Sequence, residues 1–232
     1  MKTDKVSKQY FSRTELIIWG LSVTMVALGF LIFDRSNYLA FLASLIGVSA
    51  LIFISKGNPI GQVLTIAFSI LYGIISYSYA YYGEMITYLG MTGPMAVLAL
   101  ISWLRNPYKG NKSEVEVNSL KSKEYYFLAI LATAVTVGFY FILKFFNTQN
   151  LIPSTVSVAT SFVATYLTFR RSPYYAIAYA LNDVVLIVLW TLACIEDTSY
   201  ISVNICFMMF LLNDVYGFIN WSRMKKRQQA LG

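Results

Sequence analysis

Two Asn-Asp pairs, Asn182-Asp183 and Asn213-Asp214, stand near the middle of long apolar runs. Inside a bilayer a carboxylate or amide has no water to bond, so it must face the protein interior or a wet cavity. Such groups can hold a polar small molecule, relay a proton or tie helices together. On a helix through 174–195, Tyr179, Asp183 and Trp190 share one face, and Tyr175 and Asn182 form the adjoining stripe. An aromatic–carboxylate–aromatic lane suits a planar ring with polar substituents. On a helix through 200–221, Asn213, Tyr216 and Asn220 lie on one face, and Asp214 joins Trp221 on the next. In the first half of the chain, Asn58 caps a helix that starts at Pro59, and Gln62 sits one turn in. The candidate substrate-binding residues are Gln62, Tyr175, Tyr179, Asn182, Asp183, Trp190, Asn213 and Tyr216.

These residues belong to a very apolar chain. Of 232 residues, 57% are hydrophobic and 12% are charged. A soluble domain carries about 25% charged residues, so a polytopic helical membrane protein is expected. With no histidine, the chain has no imidazole metal ligand, no Ser-His or Cys-His nucleophile and no histidine relay. Cys194 and Cys206 read as buried free thiols. Apolar segments run at about 16–33, 38–54, 60–80, 85–104, 125–146, 153–169, 174–195 and 200–221. Most approach the roughly 20 residues that cross a bilayer. The first reads as an uncleaved helix, since no small-residue cleavage site follows it.

Charge gives these segments a direction. Placing the N-terminus inside puts 16 of the 18 Lys and Arg residues in inner loops, leaving Arg35 and Lys144 outside. The inner set runs from Lys2, Lys5 and Lys8 through Lys56, the loop 105–124 and Arg170-Arg171 to Arg223–Arg227. This asymmetry places both termini in the cytoplasm. The net charge of +7 is therefore a topology signal and not a nucleic-acid surface.

The chain also repeats. A basic–polar–Pro helix start recurs at Pro59 and Pro173, 114 residues apart. An Ile-x-Trp-x-Arg helix end recurs at Trp103 and Trp221, 118 residues apart. The fold expected is all-α, with eight transmembrane helices: an N-terminal extra helix plus a 3+1+3 parallel repeat of three-helix units. One linking helix makes the two units parallel, with a substrate site between them near the midplane. The divisions expected are 1–35 for the N-terminus and first helix, 36–106 for the first unit, 107–149 for the loop and linker helix, and 150–232 for the second unit and basic tail. The fourth segment is nearly all apolar (MAVLALISW), so the site should be weighted to the second unit.

In this plan, and in Asn182, Leu212-Asn213, Ile219-Asn220, Asn58 and Tyr72-Gly73, the chain resembles the PnuC family of bacterial vitamin transporters over about residues 36–224. The resemblance implies a SWEET-like homotrimer in the bacterial cytoplasmic membrane, without cofactor or enzymatic activity. It implies uptake of nicotinamide riboside by facilitated diffusion, made one-way by intracellular phosphorylation. Where many members start the seventh helix with two tryptophans, this chain has Tyr175 and Ala178. Carriage of thiamine, riboflavin or a deoxynucleoside stays open beside nicotinamide riboside. So does proton coupling through Asp183 or Asp214, because a desolvated carboxyl can titrate. An intramembrane aspartyl protease is set aside for want of a Gly-x-Gly-Asp or Tyr-Asp motif. A retinal protein is set aside because Lys144, near a helix end, is the only lysine in an apolar segment.

Overall fold

A computed structural model describes residues 10–78, 82–148 and 150–231. Lys2, Lys5 and Lys8, and the 79–80 end of the third segment, lie outside the described residues.

Eight helices are long and apolar enough to cross a membrane. They are α1 (Arg13–Phe33), α2 (Tyr38–Ser55), α3 (Ile60–Ser78), α4 (Tyr82–Arg105), α5 (Ser122–Phe145), α6 (Leu151–Phe169), α7 (Tyr175–Glu196) and α8 (Ile201–Leu231). Helices are the natural solution here, because every backbone N–H and C=O in lipid must be bonded within its own segment. Their starts follow local chemistry. Ser12 and Glu15 cap α1 reciprocally. Asn37 accepts from Ala40 N at α2, and Asn58 accepts from Ile60 N at α3.

Three features exceed the sequence reading. The fourth span is interrupted by a π-helical turn at Tyr88–Thr92, just before Pro94. Proline lacks the N–H that would continue the ladder, and a single-turn π bulge is the usual local answer. The last helix runs ten residues beyond the apolar segment that ends at 221, to Leu231, as a basic extension. The loop 105–124 is also structured. It forms a hairpin of β1 (Pro107–Tyr108) and β2 (Asn111–Val115), with Lys109 and Gly110 at φ 47° and 80° in the turn.

The helices pack as two interlocked sets. α2 lies against α3, α6 against α7 and α7 against α8, while α8 crosses to α2 and α4 to α6. The crossings are held by indole hydrogen bonds. Trp103 Nε1 donates to Thr168 O at 2.9 Å, and Trp221 Nε1 donates to Ile54 O at 2.8 Å. Beside them, Ser102 Oγ donates to Phe169 O and Asn220 Nδ2 donates to Ser55 O. Residues 54 and 168, and 55 and 169, are 114 apart, while 103 and 221 are 118 apart, the offsets already present in the sequence. The two indoles meet with ring centroids 5.4 Å apart and are fully buried.

The same end of the bundle is sealed by the hairpin and the extended segment after it. Val115 N donates to Gly57 O at 2.9 Å and Asn118 N to Arg171 O at 3.0 Å. Gly57 and Arg171 both have positive φ, 67° and 58°, and are also 114 apart. Gln228 near the end of α8 bonds Glu114, Val115 and Val117. Tyr10 joins this end through Asn58, whose Nδ2 donates to its hydroxyl at 2.6 Å. Burial raises the Tyr10 phenol above its ordinary range, and the bond to Asn58 works against that rise.

α5 buries little and touches mainly α6, so most of its surface is left for lipid. α1 does more than an accessory helix would. It packs on α2 and α8 and buries both Glu15 and Ser22. Where α2 and α3 meet, Gly61 allows a backbone-to-backbone approach: a Cβ there would lie 2.7 Å from Ile54 N and 3.0 Å from Ala50 O. Backbone cannot swing aside as a side chain can. Gly61→Ala is therefore expected to destabilise the fold by about 1–3 kcal/mol, read as a lower unfolding midpoint in detergent. An unchanged midpoint would show that the α2–α3 contact is looser than described.

Candidate substrate-binding cavity

α7 presents the polar groups of the site because its 3.6-residue period carries Tyr175, Tyr179, Asn182, Asp183 and Leu186 to one broad side. That side faces a cavity of about 70 Å³ between α2, α3, α4, α6, α7 and α8. Asp214 comes from α8, Thr65 and Phe68 from α3, Tyr88 and Thr92 from the π turn of α4, and Phe207 and Phe210 from α8. Both parts of the chain thus supply walls, but the carboxyls and the carboxamide come from the second.

Asn182 is positioned from behind. Asn182 accepts at Oδ1 from Thr160 Oγ1 at 2.8 Å and from Ser157 Oγ at 3.4 Å, both on α6. That leaves its amide nitrogen for the cavity. Asp183 and Asp214 are each 3% exposed and both line this cavity. Asp183 Oδ2 has no hydrogen-bond partner among the described residues, and neither has Thr92 Oγ1. Tyr175 is fixed edge-on between Tyr179 and Trp221, at 6.2 and 5.0 Å. A Cβ at Gly217 would stand 3.1 Å from the Tyr175 hydroxyl, so a small residue is needed where α8 passes that ring.

Aromatic rings close the cavity toward the end of the bundle away from the hairpin. Phe68 meets Tyr88 and Phe210, each at 5.8 Å, and Phe207 meets Phe210 at 5.6 Å. Beyond Phe68 and Phe207 lies a second cavity, lined by Tyr72, Ser76, Trp190 and Tyr200 among others. Phe68 and Phe207 belong to both linings and so partition them.

Of the eight candidate residues, the structure brings Tyr175, Tyr179, Asn182 and Asp183 into the central cavity. The other four stand elsewhere. Trp190 lines the second cavity, beside Tyr200 at 5.4 Å. Asn213 Nδ2 donates to Ser22 Oγ of α1 at 2.9 Å and to Met209 O at 2.7 Å. Tyr216 donates to Glu15 Oε1 at 3.1 Å, and Glu15 also pairs with Lys56 at 3.1 Å. Gln62 is 2% exposed and outside the cavity lining. The reason for the shift on α8 is angular. Neighbouring helix residues point about 100° apart, so when Asp214 faces α7 the Asn213–Tyr216 stripe turns to α1. With the N-terminal helix set outside the repeat, the sequence leaves that stripe free for substrate. Cys194 and Cys206 are free thiols.

Sequence reasoning missed Phe68, Tyr88, Thr92, Phe207 and Phe210 as wall residues. The apolar MAVLALISW stretch hid the contribution of α4, which enters through the π turn before it. Asp214 was visible on the sequence as the Asp214–Trp221 face of α8, but the amide beside it was preferred.

The chain matches a family model described as nicotinamide mononucleotide transporter over residues 37–223. A nicotinamide riboside transporter PnuC from Neisseria mucosa is 24% identical over 217 residues, covering 92% of this chain and 82% of the relative. Another from Haemophilus influenzae is 22% identical over 193 residues, covering 82% of each. A crystal structure of the vitamin B3 transporter PnuC shares the fold, with TM-score 0.81, 22% identity and 94% of both chains covered. With eight spans and most of its length inside the family match, the chain belongs to the PnuC family of multi-pass membrane transporters.

Proposed function

We propose that this chain takes up nicotinamide riboside across the bacterial cytoplasmic membrane by facilitated diffusion, with retention by intracellular phosphorylation. The observation that carries the reading is the central cavity, where Asn182, Asp183 and Asp214 stand among Tyr175, Tyr179 and Phe210. A nucleoside with a cationic aromatic ring needs a ring face, a negative charge and hydrogen-bond donors to replace water. The curated relatives named for nicotinamide riboside support this substrate over thiamine, riboflavin or a deoxynucleoside. Their names leave the manner of transport open.

The hairpin end carries Lys56, Arg170, Arg171, Arg223 and Arg227, which favours placing both termini in the cytoplasm. Residues 36–106 and 150–232 act as the paired units, with 107–149 as loop and linker helix, in a SWEET-like plan. The recurring offsets of 114 and 118 in the Trp103 and Trp221 contacts support that division. The lipid-facing surface of α5 and α1 is available for a homotrimer contact.

Space of about 70 Å³ is far less than a nucleoside fills, so loading must move the walls. Phe68 and Phe207 are the groups whose displacement would join the two cavities. In liposomes with no membrane potential, labelled nicotinamide riboside should accumulate only to equal concentrations inside and outside, whatever pH gradient is imposed. Uphill accumulation driven by pH would replace facilitated diffusion with proton coupling, and absence of uptake would refute the substrate.

A further inference from the structure

We propose that Asp183 and Asp214 work as one acid holding a single shared proton, and that the one negative charge left selects a cationic ring over its neutral counterpart. The inference rests on the nicotinamide riboside reading and adds to it the group that reads charge.

The geometry points to a shared proton. Asp183 and Asp214 are both buried in the lining of one cavity of about 70 Å³. Full ionisation would set two like charges into that small apolar space, so one proton held between them is the cheaper state. The titratable groups around the pair are Tyr175 and Tyr179 on α7, Tyr88 on α4 and Cys206 on α8. From α2, α3 and α6 the cavity lining has no titratable or charged group, and no Lys or Arg lines it among the described residues. The pair's remaining charge therefore has no counter-ion in the lining.

A second observation points to a ligand. Thr92 Oγ1 lines the same cavity, belongs to a residue 6% exposed and has no hydrogen-bond partner among the described residues. Asp183 Oδ2 is without a partner in the same way. A buried hydroxyl and a buried carboxylate oxygen left unbonded are costly unless something bonds them. One positive charge and one polar substituent on a flat ring would satisfy both, with the ring against Tyr175 or Phe210.

Substitution by asparagine separates one shared charge from two. In Asp183→Asn or Asp214→Asn, the new amide can donate to the remaining carboxylate and replace the shared proton. The pair then keeps a single negative charge. Asp183→Asn with Asp214→Asn leaves none. The experiment is calorimetric titration of the purified protein with nicotinamide riboside and with its uncharged 1,4-dihydro form. Wild type should prefer the cation by on the order of tenfold or more. Each single variant should keep most of that preference even where both affinities drop. The double variant should bind the dihydro form and lose the preference. A double variant that still prefers the cation overturns the proposal, as does either single variant that loses the preference completely. Should the double variant not fold, the wild-type titration is repeated in buffers of different ionisation enthalpy. No net proton exchange is expected on binding, and release of a proton overturns the shared-proton pair. Wild type that binds both forms equally defeats this inference alone. Wild type that binds neither defeats the substrate reading and this inference with it.

Discussion

Trp221→Ala is expected to destabilise the protein by about 3–5 kcal/mol, the usual cost of truncating a buried tryptophan. Trp221 is fully buried where α8 crosses α2, against the rings of Trp103 and Tyr175. Its loss opens a void and also leaves Ile54 O without its indole donor. Ile54 O still accepts from Gly57 N, which softens the second effect. Trp103→Ala should cost a similar amount, because Trp103 bonds Thr168 O where α4 crosses α6. The two rings touch, so the double substitution should cost less than the two single losses together. Thermal unfolding in detergent checks this. Strict additivity would mean that the two crossings do not share a core.

Asn182→Ala is expected to weaken nicotinamide riboside binding by on the order of 10- to 100-fold, the range for losing a buried hydrogen-bonding group from a site. Folding should be nearly untouched. Thr160 Oγ1, which donates to Asn182, also lies within bonding distance of Val156 O and Ser157 O at 3.0 and 3.1 Å. Asn213→Ala is the paired control. Ser22 keeps its own bond to Ile18 O when Asn213 is gone, so one contact between α1 and α8 is lost and the cavity lining is not. Its expected effect is a modest fall in the unfolding midpoint with affinity retained. Calorimetry on both variants decides the matter: equal losses of affinity would mean that α8 presents Asn213 to the ligand during transport.

The sequence made the spans, their order and the crossing tryptophans legible, because these rest on composition and on short motifs. Eight apolar runs can only be helices in lipid, and charge marks which ends lie together. The candidate site was legible on α7, where Tyr175, Tyr179, Asn182 and Asp183 occupy one broad side. On α8 the cavity is lined by Asp214 and not by Asn213 or Tyr216. Asn213 and Asp214 are neighbours in sequence and point about 100° apart, and choosing between them required knowing that α1 covers one face. That is a packing fact with no local signature, although Glu15 and Ser22 on α1 were the polar residues that could have raised it. Tyr88 and Thr92 were hidden for another reason. A π turn shifts the face a helix presents, and hydrophobic periodicity does not reveal it. The loop 105–124 looked like a polar linker, yet it forms a hairpin leading into a strap over Gly57 and Arg171.

Whether the central cavity binds nicotinamide riboside is decided by calorimetric titration of the purified wild-type protein with nicotinamide riboside, thiamine and riboflavin. Saturable binding of nicotinamide riboside at one site per chain is expected, weakened on the order of 10- to 100-fold by Asn182→Ala, with no comparable binding of the other two. Tighter binding of thiamine or riboflavin, or nicotinamide riboside binding indifferent to Asn182, would contradict it.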